Sequence, residues 1–562
     1  MIPNLKNNKW FELGAILCLG LGFYILHFYP YLASFGESIF FFNDPDDAKI
    51  YSWNAWHFAH QIKQGSSPFY TDYILSPDGT SVWMHAYTIW FGMLNLVIGQ
   101  PALSINLGIA LQLVAAFVGF YFLAKKIVVN IHLSIVVAYI SVFNSYVLAK
   151  CGVHYNLVLI GIFPFLLLNV LQLLPLKEGK LEFDRSKLVR FVLLLLVAFF
   201  MDYYIVFYTL AFLVVYMIWY GGLNRFFDTW NWKKSTVVLG LVGVGHVVLR
   251  LIRIWGWDEK GAIYAAGDVR LLWTPGSNTL MLKEKVLKSI PYTLNDNKLY
   301  IGIFIGVYFL LAILLFFRDS KSDKTARFLL FASAMFLMVT LPVIRIMGKD
   351  VFYFFTGLVH YIPFVNNVRS PDRFILLFLS SSAMFMGRVI YLYLKDNKYK
   401  MTVWVAITLV FSAYLDHAQE KMSVVEATPL ATGLEDCKDK VVLMLPFGIR
   451  DGFQGFGDFD ENHVLLQQKY QFKMPSGYLS RVSDDIWERY RKNTFYDNLV
   501  HLQLGVNFSK YDWHSALIQN GIEKIYITNC IPNQSLEVFE MLESLPSSRI
   551  KDKYGTLYTL HN

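Results

Sequence analysis

The stretch FELGAILCLGLGFYILHFYPY, residues 11–31, decides the fold class of this chain. Apart from His27 it carries one acidic or basic residue, Glu12, over the length that a helix needs to cross a hydrocarbon core of about 30 Å. Lys6 and Lys9 precede it, and no small-residue cleavage site follows the apolar run. The stretch is therefore predicted to be a membrane-spanning signal anchor that stays in the mature protein.

Similar apolar blocks of about 15 to 22 residues recur up to residue 416, so the chain is predicted to be a polytopic α-helical membrane protein. Of its 562 residues 55% are apolar and only 16% are charged, whereas an average soluble protein has roughly 25% charged residues. This composition excludes an ordinary globular domain. The net charge of +8 comes from short basic clusters between the apolar blocks, so nucleic acid is not an expected partner.

The basic clusters predict the orientation of the chain, because Lys and Arg in short loops stay in the cytoplasm. These clusters are Lys6 and Lys9, Lys125 and Lys126, 176–190, 225–234, 318–327 and 395–400. Placing all of them inside gives about eleven spans and a cytoplasmic N-terminus. The spans are expected near 11–31, 103–124, 131–148, 156–174, 189–201, 205–221, 236–254, 299–317, 328–346, 374–394 and 401–416. The apolar stretch 89–99 is too short to cross and is predicted to be re-entrant or interfacial.

The chain is thus expected to form a transmembrane catalytic domain, residues 1–416, followed by an extracytoplasmic α/β domain, residues 417–562. The first outer loop, 32–102, and this C-terminal domain would both face outward. Within the C-terminal domain KVVLMLPF, residues 440–447, is predicted to be a buried strand. WHSALIQNGIEKIYITN, residues 513–529, is predicted to be a helix that stops at Gly521 and a second strand.

An acidic cluster, NDPDD at residues 43–47, opens the first outer loop. Tyr51, Ala55, Phe58 and Ile62 follow it at helical spacing, and Trp53 and Trp56 add an aromatic signature, which together predict an interfacial helix over 46–63. Two interpretations of these aspartates are possible: they cap the helix, or they form a reaction centre. Capping needs one carboxylate, whereas Asp44, Asp46 and Asp47 supply three, which favours a function beyond capping.

Several short motifs, in this order, resemble those of bacterial membrane glycosyltransferases of the GT-C superfamily. They are the acidic cluster, WNAW (53–56), SPFYTD (67–72), SPDG (76–79), HYNLVLI (154–160), DYY (202–204), YIGI (300–303), RSPDRF (369–374) and PSGYLSR (475–481). Each motif is short, and their order along most of the chain and their place on the outer face carry the resemblance.

The resemblance implies a multi-pass enzyme of the bacterial plasma (inner) membrane that takes part in cell-envelope glycosylation. Such enzymes move a sugar from a polyprenyl-phosphate or polyprenyl-diphosphate donor to an extracytoplasmic acceptor, which is a glycan, a glycolipid or an exported protein. A loop carboxylate serves them as general base or as metal ligand. Carried to this sequence, that role falls to Asp44, Asp46 or Asp47, and the resemblance does not choose among the three.

Other residues on the expected outer face could bind the lipid phosphate or the sugar. Arg369 and Arg373 flank the start of a late span, and Arg250 and Arg253 lie near the outer end of an earlier one. His154 and Asp202 lie in the second and third outer segments. The structural alternatives are lipid snorkelling or ion pairing for the arginines, an ordinary interfacial hydrogen bond for His154, and a helix cap for Asp202.

No metal or other cofactor is established by the sequence. Mg²⁺ or Mn²⁺ would suit carboxylate ligands, and Asp44 and Asp47 would then be the candidates. The main alternatives to a glycosyltransferase are a transporter or flippase of lipid-linked sugars and a polysaccharide polymerase. A transporter is expected to carry charges near the bilayer midplane, whereas the charges of this sequence lie at the outer ends of spans, which favours chemistry at that interface.

Overall fold

The computed structural model describes residues 9–41, 46–83, 85, 87–152, 154–177, 180–228, 232–254, 272–273, 299–346, 349–361, 371–395, 399–417, 423–426, 431–452, 454–506, 508, 511–529 and 536–561. The helices are α1 Lys9–Phe28, α2 Asp46–Lys63, α3 Ile89–Ile98, α4 Pro101–Val128, α5 Ile131–Val142, α6 Ser145–Lys150, α7 Phe163–Leu173, α8 Leu188–Met201, α9 Tyr203–Ile218, α10 Asn224–Asp228, α11 Trp232–Ile254, α12 Ile303–Leu315, α13 Lys324–Thr340, α14 Ile375–Leu394, α15 Tyr399–His417, α16 Asn462–Tyr470, α17 Asp484–Lys492, α18 Thr494–Gln503, α19 Trp513–Gln519 and α20 Leu536–Ser544.

The strands are β1 Ser38–Phe41, β2 Tyr70–Thr71, β3 Thr80–Ser81, β4 Leu176–Lys177, β5 Lys180–Leu181, β6 Val343–Ile346, β7 Lys349–Tyr353, β8 Ser423–Glu426, β9 Val442–Leu445, β10 Gly448–Arg450, β11 Gly455–Gly457, β12 Gly477–Tyr478, β13 Lys524–Thr528, β14 Ser547–Lys551 and β15 Gly555–Leu560. The chain divides into two compact units. The membrane unit comprises residues 1–30 and 109–422, and the loop–tail unit comprises residues 31–108 and 423–562.

Within the described residues, eight helical segments are long and apolar enough to cross a membrane. They are Lys9–Ser34, Pro101–Val128, Ile131–Lys150, Tyr155–Leu173, Tyr203–Phe226, Trp232–Ile252, Ile303–Ser320 and Pro371–Leu394. Each coincides with a predicted span, so a multi-pass α-helical membrane architecture is supported. The three other predicted spans coincide with α8, α13 and α15, which fall outside this set. The larger number of crossings therefore stays a prediction.

One predicted span ends earlier than the sequence suggests. The apolar pattern predicts a helix over 328–346, but α13 ends at Thr340, and residues 343–346 form strand β6 paired with β7. An ion pair between Arg345 and Asp350, with Nε 2.6 Å from Oδ1, joins the two strands. The apolar residues of β6 thus belong to a β-hairpin. A short apolar run in the sequence does not distinguish such a strand from the end of a helix.

The predicted strands of the C-terminal segment are confirmed. β9 and β13 pair in parallel within a four-stranded sheet of order β14-β15-β13-β9, and the helix before β13, α19, ends at Gln519. Gly521 follows with a positive φ of 69°, a conformation that favours glycine. A second, three-stranded sheet has the order β11-β10-β12. Strand β1 from the first loop pairs antiparallel with β8.

Helix α2 has the predicted bounds, but its surroundings differ from those of an interfacial helix. Every side chain from Ala48 to Ala59 is buried, so no face is left for lipid. Trp53 Nε1 donates to Gln467 Oε1 at 2.6 Å, and Ser52 Oγ donates to Gln468 Oε1 at 2.9 Å, both on α16. The amphipathic pattern marks a face that packs on the tail of the chain rather than on a membrane surface.

Helix α3 packs closely on another side of α2. A Cβ placed on Gly92 would lie 2.5 Å from the Phe58 side chain, so only glycine allows this approach. Asn95 Nδ2 donates to the Ala55 carbonyl at 3.1 Å, which ties the two helices together in an apolar setting. The short apolar helix expected at 89–99 is confirmed as Ile89–Ile98, and its relation to the membrane stays a prediction.

Candidate active site

Asp46 is the first residue of α2 and lies among charged partners in the loop–tail unit. Lys49, one helical turn later and buried, places Nζ 3.3 Å from Asp46 Oδ1. Glu461, which directly precedes α16, forms a side-chain hydrogen bond with Asp46. The Asp46 side chain is 36% exposed, so a reactant could reach this carboxylate while a buried ammonium group stabilises its charge.

Arg450, at the end of β10, completes this group. Its Nη1 donates to Glu461 Oε1 at 3.3 Å, and its guanidinium lies 5.7 Å from the ring centroid of Tyr478 on β12. The Arg450 side chain is 57% exposed, whereas that of Glu461 is 8% exposed. The buried Glu461 carboxyl group is therefore in contact with both the Asp46 carboxylate and the accessible Arg450 guanidinium.

Asp460 and His463 lie behind Glu461. Asp460 accepts hydrogen bonds from the Asn462 amide at 2.9 Å and from Thr528 Oγ1 at 3.0 Å. Burial opposes its ionisation, but the nearby His463 and these hydrogen bonds outweigh burial and lower the pKa of Asp460. His463 is fully buried with Nε2 4.0 Å from Asp460 Oδ2, and burial lowers the pKa of its ring.

The pKa of Glu461 is raised to about 8, first by burial and then by the neighbouring charge of Asp46. Two carboxyl groups in contact cannot both ionise freely at neutral pH, so one of them keeps a proton. The Lys49 ammonium beside Asp46 favours the ionised form of Asp46. We name Asp46, Lys49, Glu461 and Arg450 the Asp46 group.

Asp47 lies beside a different histidine. Its charge acts on His85, which is buried, and burial lowers the pKa of His85 to about 4 against this influence. His85 Nδ1 accepts the Ser480 amide proton at 2.9 Å, and Nε2 lies 3.0 Å from Asn54 Oδ1. A neutral His85 therefore joins α2 to the segment 475–481 by hydrogen bonds. The negative charge of Asp47 lies near this histidine and raises its pKa against the effect of burial.

Asp202, in the membrane unit, is a helix cap. Its Oδ1 accepts the Tyr204 amide proton at 2.7 Å at the start of α9, and its Oδ2 accepts from Asn156 Nδ2 at 2.6 Å. The residue is 7% exposed. The capping alternative fits this geometry, because both carboxylate oxygens are occupied by structural donors.

Two basic residues of the membrane unit lie near one tyrosine. The Arg373 guanidinium stacks 4.4 Å from the ring centroid of Tyr204, and its charge also acts on Tyr146. Lys150, buried at the end of α6, places Nζ 5.7 Å from the Tyr146 ring centroid. Sequence reasoning missed Lys150, although it lies in the second outer segment predicted. The two cations are a candidate site for a lipid phosphate within this unit.

The remaining predicted site residues are His154, Arg250, Arg253, Asp44 and Arg369. His154 is half-buried and precedes the short helix Tyr155–Val158, and Arg250 is exposed on α11. The predicted roles of His154 and Arg250 in binding the lipid phosphate or the sugar stay predictions. Asp44, Arg369 and the side chain of Arg253 lie outside the described residues.

A divalent-metal site receives no support from the part of the chain that the structure describes. Among those residues no group of three or more His, Cys, Asp or Glu side chains is arranged to hold a metal ion. Asp46 has the Lys49 ammonium beside it, and Arg450 lies beside Glu461, so organic cations can offset negative charge in this group without a metal. The Mg²⁺ or Mn²⁺ expectation at Asp44 and Asp47 thus stays a prediction.

Glu461 and Arg450 are the functional candidates that sequence reasoning missed. Both occur in the stretch GIRDGFQGFGDFDE, residues 448–461, which is rich in Gly and Asp and lies outside the predicted strands and helices. Such composition at the end of a strand is a signal for a functional loop, but it does not reveal that this loop meets Asp46.

Comparison with known proteins gives limited information. No family model matches the sequence, and no curated protein matches it. Two solved structures of the Archaeoglobus fulgidus oligosaccharyltransferase align with the chain at 10% identity. The apo form covers 92% of this chain and 70% of its own with a TM-score of 0.41. The complex with Zn and sulfate covers 91% and 68% with a TM-score of 0.37. A likeness at these TM-scores is too weak to support an inference about activity.

Proposed function

We propose that this chain is an integral-membrane glycosyltransferase of GT-C type. It moves a sugar from a polyprenyl-phosphate or polyprenyl-diphosphate donor to a hydroxyl group of an extracytoplasmic acceptor, which is a glycan, a glycolipid or an exported protein. The observation that carries the proposal is the Asp46 group, where an accessible carboxylate and an accessible guanidinium share one buried carboxyl. The motif order that resembles GT-C enzymes and the eight apolar helices support it.

In the proposed reaction Asp46 acts as general base. The acceptor hydroxyl oxygen attacks the anomeric carbon, the bond from that carbon to the phosphate oxygen breaks, and the hydroxyl proton passes to Asp46. The electron pair leaves with the lipid phosphate, whose developing charge the Arg450 guanidinium stabilises. Such a donor carries its own leaving group, so positioning, a base and a cation suffice for the chemistry.

The proposal is tested with purified protein in lipid vesicles and a panel of labelled polyprenyl-phosphate and polyprenyl-diphosphate sugars. The readout is release of the unglycosylated lipid phosphate together with labelled product. Wild type is expected to turn over at least one donor, and Asp46→Asn is expected to lower turnover by about 10²–10⁴. Asp485→Asn removes an exposed carboxylate that pairs with Arg489 and is the matched control.

Turnover that survives in Asp44→Asn, Asp46→Asn and Asp47→Asn alike would exclude a reaction centre in this cluster. Movement of the lipid-linked sugar across the vesicle membrane without transfer would instead favour the transporter. Addition of many identical sugars to one acceptor chain would favour the polymerase. Product size, measured by mass spectrometry, separates these outcomes.

A further inference from the structure

Glu461 occupies the centre of the Asp46 group, and its burial differs from that of its partners. The Glu461 side chain is 8% exposed, against 36% for Asp46 and 57% for Arg450. It contacts Asp46 on one side and the Arg450 guanidinium, 3.3 Å away, on the other. A reactant at the surface would meet the two partners, while Glu461 holds them from behind.

We propose that Glu461 is a positioning residue which keeps its proton at neutral pH, donates a hydrogen bond to Asp46 and accepts a hydrogen bond from Arg450. The inference deepens the proposed function and rests on it for its catalytic consequence. A neutral carboxyl can donate to a carboxylate and accept from a guanidinium at the same time, whereas an ionised carboxylate can only accept. It thereby fixes the spacing of the base and the cation.

The charges around Glu461 support the protonated form. Asp46 and Asp460 carry two negative charges, and Lys49 and Arg450 carry two positive ones, while burial lowers the pKa of the His463 ring behind them. With these groups balanced, ionised Glu461 would add an uncompensated negative charge in a buried position and in contact with Asp46. Burial of such a charge is strongly unfavourable, so the proton stays on Glu461.

Loss of this proton would weaken the site in two ways. The hydrogen bond to Asp46 would be replaced by repulsion between two carboxylates, and Arg450 would be drawn more tightly to Glu461 and away from a phosphate. The rate of sugar transfer is therefore expected to fall as pH rises through about 8, where the raised pKa of Glu461 lies. Above that pH the protonated fraction decreases about tenfold per unit.

The test uses full-length protein in vesicles and three variants. Glu461→Ala removes both hydrogen bonds and is expected to lower kcat by about tenfold or more, since a buried donor and acceptor are lost. Glu461→Gln supplies an amide that donates and accepts like the protonated acid, so it is expected to recover most of that loss and to remove the fall near pH 8. Glu488→Gln, at an exposed glutamate paired with Lys492, is the control and should keep the wild-type pH profile.

Two outcomes would overturn the inference. If Glu461→Gln is as impaired as Glu461→Ala at pH 7, the ionised form of Glu461 is required. If Glu461→Gln keeps the alkaline fall, another group causes it. Either result would leave the role of Asp46, and thus the proposed function, in place.

A second measurement does not depend on activity. Infrared difference spectra between wild type and Glu461→Gln at pH 7 are expected to contain the carbonyl band of one protonated carboxylic acid, which disappears as pH rises through about 8. A band without any transfer activity would support the protonated Glu461 and contradict the proposed function. Absence of the band would contradict the proton on Glu461 whatever the activity.

The pH dependence of thermal unfolding also reports the protonation of Glu461. The folded-state pKa of Glu461 is raised above its ordinary value of 4.5, so its protonation stabilises the folded state below that value and the contribution is lost as pH rises to about 8. The Tm of wild type relative to Glu461→Gln is therefore expected to fall between about pH 5 and 8 and to level off above. A Tm difference that does not change with pH would contradict the inference.

Discussion

Asp46 and Asp202 both stand at the start of a helix and both precede aromatic residues, yet the loop–tail unit and the membrane unit use them differently. Asp202 is 7% exposed, and its two oxygens accept from Tyr204 and Asn156. The Asp46 side chain is 36% exposed, and its partners are Lys49 and Glu461. An aspartate whose oxygens satisfy structural donors serves the fold, whereas one held among charges at the surface is suited to proton transfer.

The largest difference between Asp46 and Asp202 is expected when each carboxylate is neutralised in a separate variant. Asp46→Asn is expected to lower kcat by about 10²–10⁴, the usual contribution of a general base, with little change in Tm. Asp202→Asn is expected to lower kcat by less than about tenfold, because an Asn side chain still caps a helix. Both are measured by turnover of the labelled donor. Equal losses of rate would contradict the distinction between the two aspartates.

The next largest effect concerns the cation of the Asp46 group. Arg450→Ala is expected to lower kcat/KM by about 10- to 100-fold, since a charge-assisted hydrogen bond contributes about 1.5–3 kcal/mol. Arg450→Lys should recover part of it, because Lys provides the charge without the planar fork. Arg491→Ala, which removes an exposed guanidinium near Trp487, is the matched control and should keep its rate. An unimpaired Arg450→Ala would exclude Arg450 from phosphate stabilisation.

Asp202 should be revealed by stability rather than by rate. Asp202→Ala removes the cap of α9 and leaves the buried Asn156 amide without its acceptor, at a cost of about 1–3 kcal/mol. The measurement is Tm in detergent, and a fall of several degrees is expected. Asp184→Ala, at an exposed cap that accepts from the Ser186 amide, is the control and should change Tm less. A loss of donor binding without a change in Tm would indicate a direct role for Asp202.

The smallest effect is expected at Asp47. Asp47→Asn removes a charge that acts on His85 without removing a hydrogen bond of His85, so the rate should change less than about threefold. The pKa of His85 should fall below its value of about 4, because the charge of Asp47 raises it. Proton NMR of labelled histidine measures this shift. A loss of rate as large as that of Asp46→Asn would move the general base to Asp47.

The local features of the chain were predicted because they depend on nearby residues. The bounds of α2, the short helix α3, the strands β9 and β13 and the apolar spans follow from periodicity, composition and turn residues. Periodicity does not tell what covers an apolar face, which is why α2 was expected at a membrane surface although its face packs on α16.

The sequence by itself therefore determined a multi-pass membrane protein, an acidic cluster at the start of α2 and an α/β segment at the end. The tertiary structure alone decided that Asp46 meets Glu461 and that the Arg450 guanidinium donates to Glu461. These residues are distant along the chain, and their meeting depends on how α2 packs against the tail. The pKa of a carboxyl group likewise depends on its burial and on its neighbours in space, which no local pattern encodes.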